Sequence, residues 1–310
     1  MSLPTSTRGL RIRCTDAKTK LQANHPRGPP LMRICFSSDI HGDESQYQRL
    51  DALLARSTPD LLILGGDLFP DGDQADPPAS QATYVRETFA PRIERWKARS
   101  PGLEVACIVG NHDWRTTLDT LRDLHQAGTV ALLTPEAPWE FGGLHFLGFS
   151  LTPPTPFWLK DFERLDRSED ACESGAGRIW DAQQAAIREV EIESYFRSVP
   201  TLSDELPQLD SPADPWVFVC HAPPWNSALD RLPNVNHPVG SRAVREFVVE
   251  RRPLLGLHGH IHDSPQLTGA YFDRVEGVLC VNPGQADDRL HAVIFEADDP
   301  AGTLRHTVAP

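Results

Sequence analysis

The sequence predicts an α/β protein in which helices cover a largely parallel β-sheet and a second, more antiparallel sheet follows. Short apolar runs alternate with helix-like segments in the first half of the chain, which is the order of βαβ units. Later strand-like runs follow one another closely, and Gly142-Gly143 predicts a hairpin turn between two of them. The chain has 310 residues, 40% of them hydrophobic and 24% charged, and this composition excludes a disordered or fibrous chain.

The apolar runs predict buried strands at Met32–Ser37, Leu61–Leu64, Val105–Val109, Val217–Cys220, Leu254–Leu257 and Val278–Val281. Helices are expected at Ser45–Arg56 and Gln81–Arg99, with Ser45 and Ser80 as N-caps, and another from about Thr116 to Gly128. The hairpin pairs Pro138–Phe141 with Leu144–Phe149, and the last expected strands are Leu290–Glu296 and Leu304–Val308.

Two regions fall outside this pattern. Residues 1–31 are interpreted as a basic N-terminal extension, with a short strand expected at Leu10–Cys14. Residues 32–310 are expected to form a single domain, with an acidic, proline-bounded insertion at about 151–215. One helix, Ile179–Val199, is expected in the insertion, which we interpret as a lid or rim over one end of the sheets.

Charge and cysteine content narrow the function classes. Lys and Arg number 30 against 43 Asp and Glu, a formal net charge of -13, which disfavours long nucleic acids as partners. A small phosphorylated substrate remains compatible, because a local metal site can reverse the sign of the potential. No apolar run approaches the roughly 18 residues of a membrane-spanning helix. The cysteines form no CxxC pair, which disfavours a disulfide framework and predicts a cytoplasmic location.

Residue types that bind metals follow the predicted strands. They occur as Asp39-Ile40-His41, Gly65-Gly66-Asp67, Gly110-Asn111-His112-Asp113, His221 and His258-Gly259-His260-Ile261-His262. The carboxyl ends of strands in an open α/β sheet meet at one edge, so these clusters can converge there. Residues i and i+2 of an extended segment point to one side, so Asp39 with His41 and His260 with His262 can each aim two ligands together.

Carboxylate, imidazole and amide ligands suit Mn, Fe, Zn or a mixed pair of these ions. A shared carboxylate, most naturally Asp67, could bridge two ions about 3.5–4 Å apart. Each cluster, taken alone, is more simply interpreted as a helix cap, a turn or a surface pair than as a set of metal ligands. Their joint occurrence in this order favours the metal interpretation.

Taken together, D-x-H, G-D, G-N-H-D, H and G-H-x-H resemble the motif blocks of the calcineurin-like metallophosphoesterase superfamily. His221-Ala-Pro-Pro, the segment from Gly240 to Phe247 and Asn282-Pro283-Gly284 further resemble the bacterial Icc-related predicted phosphoesterases. The similarity spans about residues 32 to 297. It implies a four-layer α/β/β/α sandwich of two mixed β-sheets flanked by helices.

The resemblance also implies a site with two divalent metal ions. Asp39, His41 and His262 would hold one ion, Asp67 would bridge, and Asn111, His221 and His260 would complete the second. His112 would bind no metal and would assist the leaving group, while a metal-bridging hydroxide attacks the phosphorus.

Further residues are candidates for contacts around this site. Arg115, Arg231 and Arg242 could meet a substrate phosphate, because a guanidinium matches its oxygens. His237 could touch substrate or belong to a helix entry. Asp43 and Asp113 could orient His112 or a metal-bound water, or serve as solvated or capping carboxylates; His258 could support the ligands or be a buried strand histidine.

The expected activity is hydrolysis of a small phosphate ester, with a phosphodiester such as a cyclic nucleotide as the leading substrate. A phosphomonoesterase and a dinucleoside polyphosphate hydrolase are alternatives on the same site. A catalytically silent metal-binding scaffold for a protein partner is the alternative from another class. The sequence leaves the oligomeric state and the metal identity open.

Overall fold

The computed structural model describes residues 32–72, 75–172 and 174–309. The expected N-terminal extension, including the strand at Leu10–Cys14, lies outside the described residues. The strands are β1 Arg33–Ser37, β2 Leu61–Gly65, β3 Glu104–Ile108, β4 Ala131–Leu132, β5 Trp139–Phe141, β6 Leu144–Phe149, β7 Ala176–Asp181, β8 Ala186–Glu191, β9 Trp216–Cys220, β10 Leu255–Leu257, β11 Phe272–Val275, β12 Val278–Val281, β13 Leu290–Glu296 and β14 Arg305–Ala309.

The helices are α1 Glu44–Ser57, α2 Pro77–Tyr84, α3 Ala90–Arg99, α4 Thr117–Gln126, α5 Ile192–Ser198, α6 Leu202–Glu205, α7 Arg242–Arg251, α8 Ser264–Thr268 and α9 Pro300–Thr303. A π-helical turn, Val85–Phe89, joins α2 to α3, and a 3-10 turn, Leu206–Gln208, follows α6. None of the helices in the described ranges is long and apolar enough to cross a bilayer.

The described strands form two six-stranded mixed sheets and a two-stranded hairpin. The first sheet has the order β14-β13-β1-β2-β3-β4, in which β1 to β4 run parallel and β13 pairs antiparallel with β1. The second has the order β11-β12-β10-β9-β6-β5, with a parallel centre and antiparallel edges. This mixed α/β architecture confirms the predicted fold class.

Three apolar cores separate the layers. The middle core joins the inner faces of both sheets through residues such as Phe36, Ile63 and Val219. A second core packs helices that include α1 and α3 against the outer face of the first sheet. A third packs α7 against the outer face of the second sheet through Phe247 and its neighbours. Helices therefore cover both outer faces, and the loops at the strand ends remain available for a site.

Two helix starts differ from the prediction. Helix α1 is capped by Asp43, whose side chain accepts hydrogen bonds from the amides of Ser45 and Gln46. Helix α2 begins at Pro77 after the cap Asp76, so Ser80 lies inside it. In both cases an aspartate further upstream supplies the oxygen that the first-turn amides need, which makes the predicted serine caps wrong.

The helix predicted at Ile179–Val199 is wrong over most of its length. The segment forms the hairpin β7–β8, and helix α5 occupies only its last part. Buried Gly177 and Ile179 alternate with exposed Ala176 and Arg178, so the alternation of a half-covered strand prevails over helical propensity. The chain reverses at Asp181, whose side chain accepts from two turn amides, and at Ala185, with φ of 49°.

Candidate metal centre

Loops from the carboxyl ends of both sheets meet at one place. The amide of Asp39, after β1, donates to the carbonyl of Gly66, and the amide of His41 donates to the carbonyl of Asp67. On the second sheet, the amide of Gly259 donates to the carbonyl of His221 at 3.0 Å. The amide of His260 in turn donates to the carboxylate of Asp39 at 3.0 Å, which ties the two sets of loops together.

The structure brings two groups of potential metal ligands together. One contains Asp39, His41 and His262, and the other contains Asp67, His221 and His260; within each group the ligand atoms lie within 4.8 Å of one another. His41 Nε2 is 3.4 Å from His262 Nε2, and the latter is 3.2 Å from Asp39 Oδ1. Imidazole nitrogens and a carboxylate oxygen facing one another in this way form a donor set suited to a divalent cation.

Asp67 lies between the two groups. Its Oδ1 accepts a hydrogen bond of 2.8 Å from the amide of His112. Its Oδ2 is 3.3 Å from His221 Nε2 and 3.9 Å from His41 Nε2. The carboxylate is thus held by one oxygen, while the other faces both groups.

Asn111 and His221 present polar atoms that lack partners among the described residues. Both side-chain polar atoms of Asn111 are buried without a hydrogen bond, and so is His221 Nε2. The opposite nitrogen, His221 Nδ1, bonds the carbonyl of Gly65 at 2.7 Å, which leaves Nε2 without a proton in the neutral ring. A buried unsatisfied polar group costs about 1–3 kcal/mol. The amide oxygen of Asn111 and Nε2 of His221 therefore fit a cation site.

Backbone strain is concentrated at the same residues. Asp39, His41, Asp67 and His260 have φ values of 60°, 51°, 52° and 67°. Residues other than glycine seldom adopt this left-handed conformation, and it clusters at functional sites. The loop bonds described above hold the strained conformations in place.

The electrostatics of the cluster favour cation binding. Burial alone would raise the pKa of Asp39, but His262 and His221 outweigh burial and lower that pKa to about 2. Burial lowers the pKa of His260 to about 3. Burial also opposes protonation of His221, yet Asp67 and Asp39 raise its pKa to about 9, so a cation bound at Nε2 would displace a proton there. Ionised carboxylates therefore attract positive charge at this position.

His112 lies beside the cluster without belonging to either ligand group. Its ring centroid is 5.0 Å from that of His41 and 4.5 Å from that of Phe157. Its Nδ1 is 3.3 Å from Asp71 Oδ1. Burial disfavours the imidazolium, but Asp71 and Asp67 outweigh burial and raise the pKa of His112 to about 9.

Two residues near His112 were missed by the sequence reasoning. Asp71 pairs with the His112 ring, and buried Gln81 donates to the carbonyls of His112 and Pro70 and accepts from the amide of Trp114. The only signal for Asp71 was its position in the loop after Asp67. Gln81 carried no signal, because its contacts depend on how α2 packs.

The three supporting candidates have structural contacts. Asp43 caps α1, and buried Asp113 accepts from the amides of Leu68, Phe69 and Gly110, so it joins two ligand-bearing loops. The contact to the His112 ring is made by Asp71. His258, directly after β10, is buried, with Nδ1 bonded to the carbonyls of Cys220 and Ala222.

The four candidate substrate contacts lie in three places. Arg115 lines a cavity of about 280 Å³ with Arg122 and Arg164, and Arg231 contacts Asp230 and Asn226. Arg242 and His237 instead line one cavity of about 470 Å³. The structure therefore does not bring the three arginines together.

Comparisons with known proteins identify a family and structures of similar fold. The model of the family described as calcineurin-like phosphoesterase matches residues 32–264. Among solved structures, TT1561 of Thermus thermophilus is 14% identical and covers 90% of this chain and 99% of its own, with a TM-score of 0.53. YfkN from Bacillus subtilis, a calcineurin-like phosphoesterase, is 15% identical and covers 90% of this chain and 91% of its own, with a TM-score of 0.44. A search of curated proteins finds no match for the sequence.

Proposed function

Because this chain belongs to the calcineurin-like phosphoesterase family and is a metal-dependent phosphoester hydrolase, we propose that it hydrolyses a small phosphodiester at a pair of divalent cations. The proposed ligands are Asp39, His41, Asp67, Asn111, His221, His260 and His262. The choice of a diester rests on the resemblance of the motif set, and a monoester is the alternative that the assay below separates. The metals proposed are Mn, Fe, Zn or a mixed pair.

The observation that carries the proposal is the orphaned amide of Asn111 beside the two ligand groups. No described residue satisfies its oxygen or nitrogen, although both are buried. A coordinated ion would satisfy the amide oxygen and so offset the cost of burying it. Bound there, two divalent ions would supply Lewis acidity, which activates water and offsets the charge on phosphoryl oxygens.

The chain's own residues would supply positioning and a proton. We assign to His112 the donation of a proton to the departing alkoxide, a role that contributes about 10²–10⁴-fold. Because Asp71 Oδ1 contacts Nδ1 at 3.3 Å, Nε2 is the nitrogen left to face the leaving group. Asp67 would fix the position of the His112 backbone through its bond to the amide.

The proposed setting is a cytoplasm with small phosphorylated molecules as substrates. The net charge of -13 supports small substrates over long nucleic acids, since polyanions are repelled. Both the cytoplasmic location and the absence of nucleic-acid partners stay predictions.

The test uses chelator-treated protein to which Mn, Fe, Zn or Mg is returned. Release of p-nitrophenol from bis(p-nitrophenyl) phosphate is compared with release from p-nitrophenyl phosphate, and bound metal is measured by mass spectrometry. We expect metal-dependent hydrolysis that favours the diester. Tight metal binding without turnover of either ester would overturn the proposal and favour the scaffold.

A variant tests the ligand assignment itself. Asn111→Ala removes an amide that makes no hydrogen bond to described residues, so folding should survive while bound metal and turnover fall. Asn236→Ala, at an exposed loop position, is the matched control and should change neither. Full metal content and full activity in Asn111→Ala would contradict the assignment.

A further inference from the structure

A cavity of about 470 Å³ lies between the insertion and the loop that follows His221. Its lining includes Pro153, Thr155, Phe196, Trp225 and Arg242. None of the proposed metal ligands contributes to its walls. The cavity is therefore distinct from the metal centre. Most of its walls belong to the insertion and to the loop after His221, for which the motifs predict no role.

Both walls of this cavity are connected through the chain to residues at the metal centre. The wall segment that ends at Pro156 continues into Phe157, whose ring lies 4.5 Å from that of His112. The opposite wall contains Trp225, which follows His221 after a short buried segment. The amide of Trp225 donates to the carbonyl of Ser241 at 2.9 Å, which fixes this wall against the start of α7. Each wall is thus joined by a few residues of chain to a group at the metal centre.

The chemistry of the lining selects one kind of group. Trp225 offers an indole whose ring is covered on one side by the Arg242 guanidinium, 5.2 Å from the ring centroid. Ile192 and Phe196 add apolar surface. Arg242 Nη1 is 3.4 Å from Asp170 Oδ1, so a donor and an acceptor lie next to each other at the same wall. A flat ring can stack on the indole face that the guanidinium does not cover.

The acidic groups of the cavity exclude a second phosphate. Asp166 and Asp170 both line it. Asp166 is engaged by the hydroxyl of Ser241 and by the amide of Arg242, while Asp170 offsets the charge of the Arg242 side chain. These carboxylates would repel a ligand group with its own negative charge, whereas they would not repel an uncharged ring.

We propose that the cavity receives an uncharged, planar aromatic ester group of the substrate, with Trp225 and Arg242 as the residues that determine this preference. The inference rests on the proposed phosphodiesterase function and adds the substrate class to it. The phosphate would lie at the metal centre, and the ring would lie against the indole.

The test compares an aromatic diester, bis(p-nitrophenyl) phosphate, with an aliphatic one whose ester groups are also uncharged, glycerophosphoglycerol, in the metal-loaded full chain. Trp225→Ala should lower kcat/KM for the aromatic ester about tenfold more than for the aliphatic one, mainly through KM, since one stacking surface is lost. Trp225→Phe should restore most of the preference. Trp139→Ala, at a partly buried tryptophan on the hairpin β5–β6, is the matched control and should leave the ratio unchanged.

A binding measurement separates failure of this inference from failure of the proposed function. Calorimetric titration of the same variants with phenylphosphonate and methylphosphonate requires no turnover. If the wild type cleaves neither ester, the proposed function is refuted, yet a loss of phenylphosphonate affinity confined to Trp225→Ala still supports the cavity assignment. Equal effects of Trp225→Ala on aromatic and aliphatic ligands, or none on either, would overturn it.

Discussion

Replacing Gly110 by alanine tests whether close approach of the ligand-bearing loops forms the metal centre. A Cβ added at Gly110 would lie 2.6 Å from the amide nitrogen of Asp67 and 2.7 Å from His221 Nε2, and closer still to Asp67 Oδ1. The first distance is about 0.8 Å short of the 3.4 Å at which ordinary contact begins. The methyl group would therefore occupy the space between two proposed ligands.

Neither neighbour can yield without losing a bond. Asp67 Oδ1 is held by the amide of His112 at 2.8 Å, and His221 Nδ1 is held by the carbonyl of Gly65 at 2.7 Å. Overpacking of a close-packed interior costs about 1–3 kcal/mol. We expect a loss of this size in the free energy of unfolding, together with at least a tenfold fall in metal affinity, because both displaced groups are proposed ligands.

The assay pairs urea unfolding of the chelator-treated protein with calorimetric Mn titration. Gly102→Ala is the matched control, since nothing lies within 4 Å of a Cβ there, and its stability should change by less than about 1 kcal/mol. Native metal affinity in Gly110→Ala would refute the reasoning, because the ligands would then tolerate separation.

Three further predictions follow from individual contacts. His112→Ala should lower turnover about 10²–10⁴-fold at unchanged metal content; parallel loss of metal would show that His112 is a ligand. Asp71→Asn should lower kcat about tenfold, again without loss of metal, because the contact that orients His112 is weakened. Lys160→Met should lower the free energy of unfolding, measured with urea, by about 3–5 kcal/mol, because it leaves the buried carboxylate of Glu163 without the ammonium that lies 2.7 Å away. Adding Glu163→Gln should recover part of that loss. No recovery would contradict the explanation.

The sheets and the convergence of the motifs could be predicted because both depend on local patterns. Buried strands such as Leu61–Gly65 are continuous apolar runs, and parallel strands bring their carboxyl ends to one edge whatever the loop sequences are. The sequence could therefore indicate that Asp39 and His262 would be neighbours, although more than two hundred residues separate them. Their role as metal ligands stays a prediction.

The remaining contacts depend on packing that no local pattern encodes. The pairing of Asp71 with His112 joins loops 41 residues apart, and the sequence favoured Asp43 and Asp113, which lie nearer to the motif residues, for that role. The hairpin β7–β8 was mistaken for a helix because its apolar residues are few and its exposed face is long. Burial of Ile179 and Val190 against the rest of the protein, which is a tertiary effect, determines the strand conformation there.

The metal centre and the proposed substrate preference depend on different features of the sequence. The proposed ligands are held by backbone bonds between loops, such as that from Asp39 to Gly66, so their geometry depends on the fold of these loops. The cavity beside them depends on side chains of the insertion and of the loop after His221, where Trp225 and Arg242 meet. Changes in those side chains leave the loop bonds intact. A chain of this kind can therefore alter the ester group it accepts without rebuilding the centre that cleaves it.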